Sequence, residues 1–176
     1  MFRGIEDISL DFKPGVNILL GDNGTGKTTI LEALERAMGG FLTGNTTSKV
    51  RGLLQDDFRW ELVRRGGASG QIVYHSPSIE FDLSIEGRSF HGTRIRTSRN
   101  SKSPTVTKCS EIQKYIMDIA NELTSNMPIL SYIGISRVAD SNRVLPSRKV
   151  GIHMNDRRNG YTGCLESIID KNRVLE

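Results

Sequence analysis

Ile8, Leu10 and Phe12 alternate with Ser9 and Asp11. A period of two places the three apolar residues on one face, the pattern of a half-buried strand. Lys13-Pro14-Gly15 interrupts the run as a turn. Val16-Asn17-Ile18-Leu19-Leu20 is then a short, nearly continuous apolar stretch, as expected of a central strand covered on both sides. After glycine-rich positions 21–26 the period changes. From Thr28 to Met38, residues Ile30, Leu31, Leu34 and Met38 share a helical stripe, and Gly39-Gly40 is the expected stop. The opening order is strand, glycine loop, helix.

Residues 41–52 read as a loop. Strand patterns follow at Phe58–Val63, Gln71–His75, Ser78–Ile85 and Arg88–Arg96. The clearest sets Ile79, Phe81, Leu83 and Ile85 against Glu80, Asp82 and Ser84, with Glu86-Gly87 suited to a hairpin turn. This middle section predicts an antiparallel sheet, and Asn100–Thr107 is polar and expected to be mobile. Ser110 with Gln113 three residues on has capping-box spacing for a second helix. Ile112, Tyr115, Ile116, Ile119, Ala120 and Leu123 supply its stripe, closed by Asn126 and Pro128. Ile129–Ile135 is a further buried-type strand. Beyond Arg137 the pattern weakens, apart from an apolar patch at Leu165–Ile169. No internal repeat or linker divides the 176 residues, which predict one domain.

Composition narrows the class without choosing a function. Apolar residues make up 36% and charged residues 25%, values of a soluble globular protein. No run approaches the ~20 apolar residues of a membrane span. Charges at Arg3, Glu6 and Asp7 stand where a signal peptide needs an apolar core, so a cytoplasmic protein is expected. Cys109 and Cys164 have no metal-ligand spacing and read as reduced thiols. The net charge of +4 is uneven: Arg88, Arg94, Arg96, Arg99, Lys102 and Lys108 occur between Gly87 and Ser110 without an acid, and a second basic stretch runs from Arg137 to Arg158. Such runs can meet nucleic-acid phosphates. With no aromatic residue interleaved after Phe90, solvated loops are the favoured reading.

The chemistry lies in Gly21-Asp22-Asn23-Gly24-Thr25-Gly26-Lys27-Thr28, which satisfies every required position of G-x-x-x-x-G-K-[ST] in the strand-to-helix setting that the motif needs. A triphosphate requires many donors converging on a compact anion. Gly24 and Gly26 let the backbone curl so that successive N–H groups point inward. The first helical turn adds unpaired amides and the positive end of the dipole. Lys27 reaches the β- and γ-phosphates and is the candidate catalytic residue. Thr28 is the candidate Mg²⁺ ligand, and Thr29 is placed to donate to the α-phosphate. The expected ligands are ATP and Mg²⁺.

Phe2-Arg3-Gly4-Ile5-Glu6-Asp7-Ile8-Ser9-Leu10-Asp11-Phe12, Gly15–Gly21 and Asn23–Leu34 together resemble the opening of the SMC/RecF-type AAA ATPases. A weaker likeness to ATP-binding defence and repair proteins covers Ser110–Arg137, with Met127–Gly134, and Asn159–Leu165. The resemblance implies an α/β P-loop NTPase fold: the N-terminal lobe of an ABC-type ATPase head with an added antiparallel β-subdomain. It implies work on DNA in repair or phage defence, and a head-to-head homodimer. It also places Arg3 beside the nucleotide.

The expected Walker B strand, ending in two acids, is absent from the sequence. Ile116-Met117-Asp118 falls inside the capped helix, and Ile168-Ile169-Asp170 is too short. Gly66–Gln71 imitates a signature motif but leads into a strand pattern. Ser136 and Arg137 stand where a glutamine is common. The chain is therefore expected to be an incomplete lobe that binds ATP, with hydrolysis requiring the missing half. The alternatives are a complete small P-loop kinase, a GTPase (for which Asn-Lys-x-Asp is lacking), or a basic nucleic-acid-binding module with a relic P-loop.

Overall fold

A computed structural model describes residues 1–43, 50–64, 70–100, 102, 104–134, 157–161, 164 and 165. The elements are α1 (Lys27–Leu42), β1 (Arg59–Val63), β2 (Gln71–His75), β3 (Ser78–Ile85), β4 (Arg88–Ile95), β5 (Val106–Lys108) and α2 (Ser110–Asn121), with 3-10 turns at Gln55–Asp57 and Arg157–Tyr161. The fold is mixed α/β with antiparallel sheets. The chain forms two compact units, Met1–Ala37 with Gly52–Lys108 and Met38–Arg51 with Cys109–Glu176.

In the first unit β1 and β2 form an antiparallel hairpin, and β3, β4 and β5 form a three-stranded antiparallel sheet in that order. The alternation of Ile79, Phe81, Leu83 and Ile85 sets the β3–β4 register, in which Leu83 faces Phe90 and Ile85 faces Arg88. Glu86 and Gly87 both have positive φ, 50° and 77°, the geometry of a two-residue hairpin turn that follows the twist of its strands. β5 departs from expectation. Val106–Lys108 overlaps the end of the segment read as polar and mobile, Asn100–Thr107, yet it pairs with Thr93–Ile95.

The two apolar segments flanking the glycine loop also depart from expectation. Ile8–Phe12 and Val16–Leu20 join no ladder. Val16 is 90% exposed, Ile18 73% and Leu20 88%. A central strand needs hydrogen-bonding neighbours on both edges and covering layers on both faces; no described part of this chain supplies them here. The turn between the segments does form. Lys13 N donates to Asn17 Oδ1 at 3.0 Å and Asn17 Nδ2 donates to the Lys13 carbonyl at 2.7 Å.

In the second unit α2 buries Ile112, Tyr115, Ile116, Ile119 and Ala120, the predicted stripe. Its ends differ from prediction. Cys109 is the N-cap residue and makes no side-chain cap bond, while Gln113 Nε2 donates to the Gly40 carbonyl at 2.9 Å instead of closing a capping box. The helix stops at Asn121, before Leu123, Asn126 and Pro128. There the Arg157 guanidinium donates to the carbonyls of Ile119, Glu122 and Ser125, a cation placed on the negative end of the dipole. α1 likewise runs past Gly39-Gly40 to Leu42. Burial of Phe41 (7% exposed) and Leu42 (1%) offsets the ~1 kcal/mol that each helical glycine costs.

Residues 129–134 form no ladder either. Ile129 is 95% and Ile133 74% exposed, and the segment is tied by Tyr132 N donating to the Cys164 carbonyl at 2.8 Å. Cys109 and Cys164 form no disulfide. The rest of the predicted strand (Ile135), Ser136 and Arg137, most of the Arg137–Arg158 basic stretch, Gly66–Ser69 and Ile168–Asp170 lie outside the described residues. Asp118 lies in α2, as read from the sequence.

Candidate nucleotide site

The glycine loop holds the conformation that its sequence requires. Gly24 and Gly26 have φ of 87° and 92°, the left-handed region where a side chain would be strained. At Gly21 a Cβ would lie 2.8 Å from Thr25 Oγ1, so glycine leaves that space to the threonine hydroxyl. That hydroxyl donates to the Asp22 carbonyl at 2.9 Å and closes the turn. α1 starts at Lys27. Ile30 N donates to the Gly26 carbonyl at 2.9 Å, which places the amides of Lys27, Thr28 and Thr29 ahead of this first i to i−4 bond. No acidic residue occupies the first turn to oppose an anion.

The Lys27 side chain folds back over the loop. Its Nζ donates to the carbonyls of Gly21 and Asp22, at 2.6 Å each. Thus Gly21, Asp22, Asn23, Gly24, Thr25, Gly26, Lys27, Thr28 and Thr29 form one continuous turn-and-helix start. The ammonium is held at the mouth of the loop by neutral dipoles that a phosphate could replace. Thr28 is exposed at the helix start. A single hydroxyl suits Mg²⁺, which takes few protein ligands and completes its octahedron with water and phosphate oxygens. Among the described residues no group of three or more His, Cys, Asp or Glu side chains could hold a metal by itself.

Arg3 sits at the tip of a tight N-terminal turn, with φ of 51°, between Phe2 and Ile5. Its amide donates to the Asp57 carbonyl at 2.9 Å and its Nε to Asp57 Oδ1 at 2.9 Å, while the guanidinium also pairs with Glu32 on α1. Asp57 is fully buried. It also accepts from Leu54 N at 2.7 Å and lies 3.7 Å from Arg36 Nε. The guanidinium of Arg3 therefore ties the first residues to α1 and to the turn before β1. Sequence reading could not find Asp57 as its partner, because 54 residues separate the two.

The basic run divides by environment. Arg94 is 2% exposed and donates to the Arg36 carbonyl. Arg96 is 6% exposed and donates to the carbonyls of Leu53 (2.7 Å), Ser98 (3.0 Å) and Asn100 (2.7 Å). These two are structural cations. The solvated-loop reading fails for them, because the backbone carbonyls around them need donors and the guanidinium fork supplies several at once. Arg99 and Lys102 remain exposed.

A family model described as an AAA domain matches residues 1–176. The chain is similar to the DNA replication and repair protein RecF of Listeria monocytogenes, 33% identical over 84 residues, covering 48% of this chain and 21% of that protein. Against RecF of Lactococcus lactis subsp. cremoris (strain SK11) the identity is 61% over 33 residues, 19% of this chain and 9% of the relative. The DNA double-strand break repair Rad50 ATPase of Pyrococcus abyssi is 38% identical over 85 residues, 47% of this chain and 9% of the relative. The chain thus spans only a minor part of the length of these curated relatives. With a family model that covers every residue, and RecF and Rad50 among its relatives, the chain belongs to the AAA domain family as an SMC/RecF-like member.

Proposed function

We propose that the chain is the ATP-binding N-terminal lobe of an SMC/RecF-like ATPase that acts on DNA, in repair or phage defence, in the cytoplasm. The observation that carries this is the loop at Gly21–Thr28, where Lys27 is held by two displaceable carbonyls beside the open amides of α1. ATP would place its β- and γ-phosphates against Lys27 and the loop amides, and Thr28 would hold Mg²⁺, which supplies charge neutralisation between those phosphates. Arg3, on its N-terminal turn, would approach the nucleotide from the side once freed from Glu32.

The exposed apolar segments at Val16–Leu20 and 129–134 support an incomplete lobe. Both have the composition of covered strands and join no ladder, and the Walker B and signature half would provide the strands that cover them. Hydrolysis would follow assembly of that half, in a head-to-head homodimer.

Calorimetry with Mg-ATP tests the reading, alongside Lys27→Ala and a phosphate-release assay. The expected result is saturable binding without turnover, weakened by about 10- to 100-fold on loss of the charge-assisted contacts of Lys27. Binding that survives the substitution unchanged would remove the P-loop from the account. Robust turnover would instead favour a complete small P-loop enzyme.

A further inference from the structure

The β1–β2 hairpin has its polarity reversed. Arg59↔His75, Glu61↔Val73 and Val63↔Gln71 are cross-strand partners on one face, where all but Gln71 are partly covered. On that face Glu61 meets His75 Nε2 at 3.1 Å and Arg59 at 4.0 Å. The partners Trp60↔Tyr74 and Leu62↔Ile72 lie on the other face and point to solvent. Trp60 is 63% exposed, Leu62 49%, Ile72 49% and Tyr74 44%. Gly70 keeps this face flat, since a Cβ there would come within 2.7 Å of Leu62 Cδ1.

A cation is built into the same face. The Arg99 guanidinium lies over the Tyr74 ring, 3.9 Å from its centroid. Its place is prepared by neighbours: the buried Arg96 curls residues 96–100 through the Ser98 and Asn100 carbonyls, and Gln55 Nε2 donates to the Arg99 carbonyl at 2.6 Å. Arg64 continues the alternation of Trp60 and Leu62 and is exposed. The one acid of the two strands, Glu61, is on the opposite face.

We propose that this outward face, Trp60 and Tyr74 flanked by Leu62, Ile72 and Arg99, is a stacking platform for single-stranded nucleic acid. Paired aromatic rings offer every base a π-face regardless of sequence, and a guanidinium both stacks and neutralises phosphate. A duplex hides its base faces and would gain only the charge. A protein partner would have to bring a carboxylate to the Arg99 guanidinium, whereas a nucleic acid carries a phosphate beside every base. The choice of a nucleic-acid partner rests on the function proposed above, whereas the platform itself is independent of the P-loop.

Trp60 is the only tryptophan of the chain, so its emission reports on this face alone. The experiment titrates the chain with dT and rU oligonucleotides of about ten nucleotides, and with a duplex of similar length. Saturable quenching by a single strand is expected, with the tighter of dT and rU identifying DNA or RNA as the source. Tyr74→Ala should weaken binding by roughly 5- to 100-fold, the loss of one stacked base. Arg99→Gln, with an unchanged circular dichroism spectrum, should reduce the slope of log affinity against log salt by about 0.7. Lys27→Ala should leave quenching by the oligonucleotide intact while it weakens ATP binding by about 10- to 100-fold in the calorimeter, so failure of one reading is distinguishable from failure of the other. Emission unmoved by either single strand, or moved equally by the duplex, would overturn the platform. So would a blue shift that grows with protein concentration alone, which would mark the face as a contact between copies.

Discussion

Ile79, Phe81, Leu83 and Ile85 alternate along β3 much as Ile8, Leu10 and Phe12 alternate near the N-terminus. Yet the first set lies within a three-stranded sheet, and the second is 40–51% exposed with no ladder. β3 has a partner two residues away across a hairpin turn, so its pairing needs little loop-closure entropy. Ile8–Phe12 and Val16–Leu20 are also joined by a short turn. Val16–Leu20, however, is apolar on both faces, and one antiparallel neighbour could not cover it. Apolar pattern thus reports what a segment requires, while pairing depends on what the chain provides.

The largest effect should come from removing a side chain that the sheet buries. Phe90, opposite Leu83 and 8% exposed, should destabilise by about 3–5 kcal/mol as Phe90→Ala, whereas Ile18→Ser should stay within about 0.5 kcal/mol in the same urea titrations. Equal losses would mean that Val16–Leu20 is covered in solution and would end the contrast. An intermediate effect is expected at Arg96. Arg96→Met leaves the carbonyls of Leu53, Ser98 and Asn100 without their donor and should cost about 2–3 kcal/mol by chemical denaturation. A neutral result would show that water replaces the guanidinium.

A smaller loss than at Phe90 or Arg96 is expected at Tyr161, whose hydroxyl donates to the Pro128 carbonyl at 2.8 Å and anchors the start of the exposed 129–134 segment. Tyr161→Phe should cost about 1 kcal/mol. Burial first, then the nearby Cys164, push its phenol from 10.0 up to about 12, against an opposing pull from Arg157. The folded state therefore holds this proton more tightly than the unfolded chain. Its contribution is fully present below pH 10 and is lost as pH rises through about 12. Stability measured across that window should fall more steeply in the parent than in Tyr161→Phe.

β3 was legible because it alternates over eight positions before a turn pair, and β1, β2 and β4 because short runs with aromatic or β-branched residues stand between turn residues. β5 was not: Val-Thr-Lys is too short to show a period, and its only reason to extend is the edge of β4. The stop at Gly39-Gly40 was misread because propensity is a local term of about 1 kcal/mol, while the burial of Phe41 and Leu42 is set by the folded chain. Ser110 and Gln113 have the right spacing for a capping box, but the amide of Gln113 has a better acceptor in Gly40. In the site, the glycine loop and the helix after it were legible, since the backbone at Gly24 and Gly26 demands glycine. The Arg3–Asp57 pair and the Arg99–Tyr74 stack join residues whose proximity only folding creates. Charge alone could not distinguish the buried Arg94 and Arg96 from the exposed Arg99.

The grip of Lys27 on Gly21 and Asp22 has a kinetic side. Because the ammonium already rests on two oxygens of its own loop, the proposed nucleotide would enter by exchange, one set of acceptors for another, and the loop would not have to be assembled around it. The same oxygens would be waiting when the phosphates left. Departure would then expose no stranded cation, and the barrier to release would fall by whatever the two carbonyls regain. On the reading proposed above, a loop arranged in this way would favour exchange of its ligand over retention.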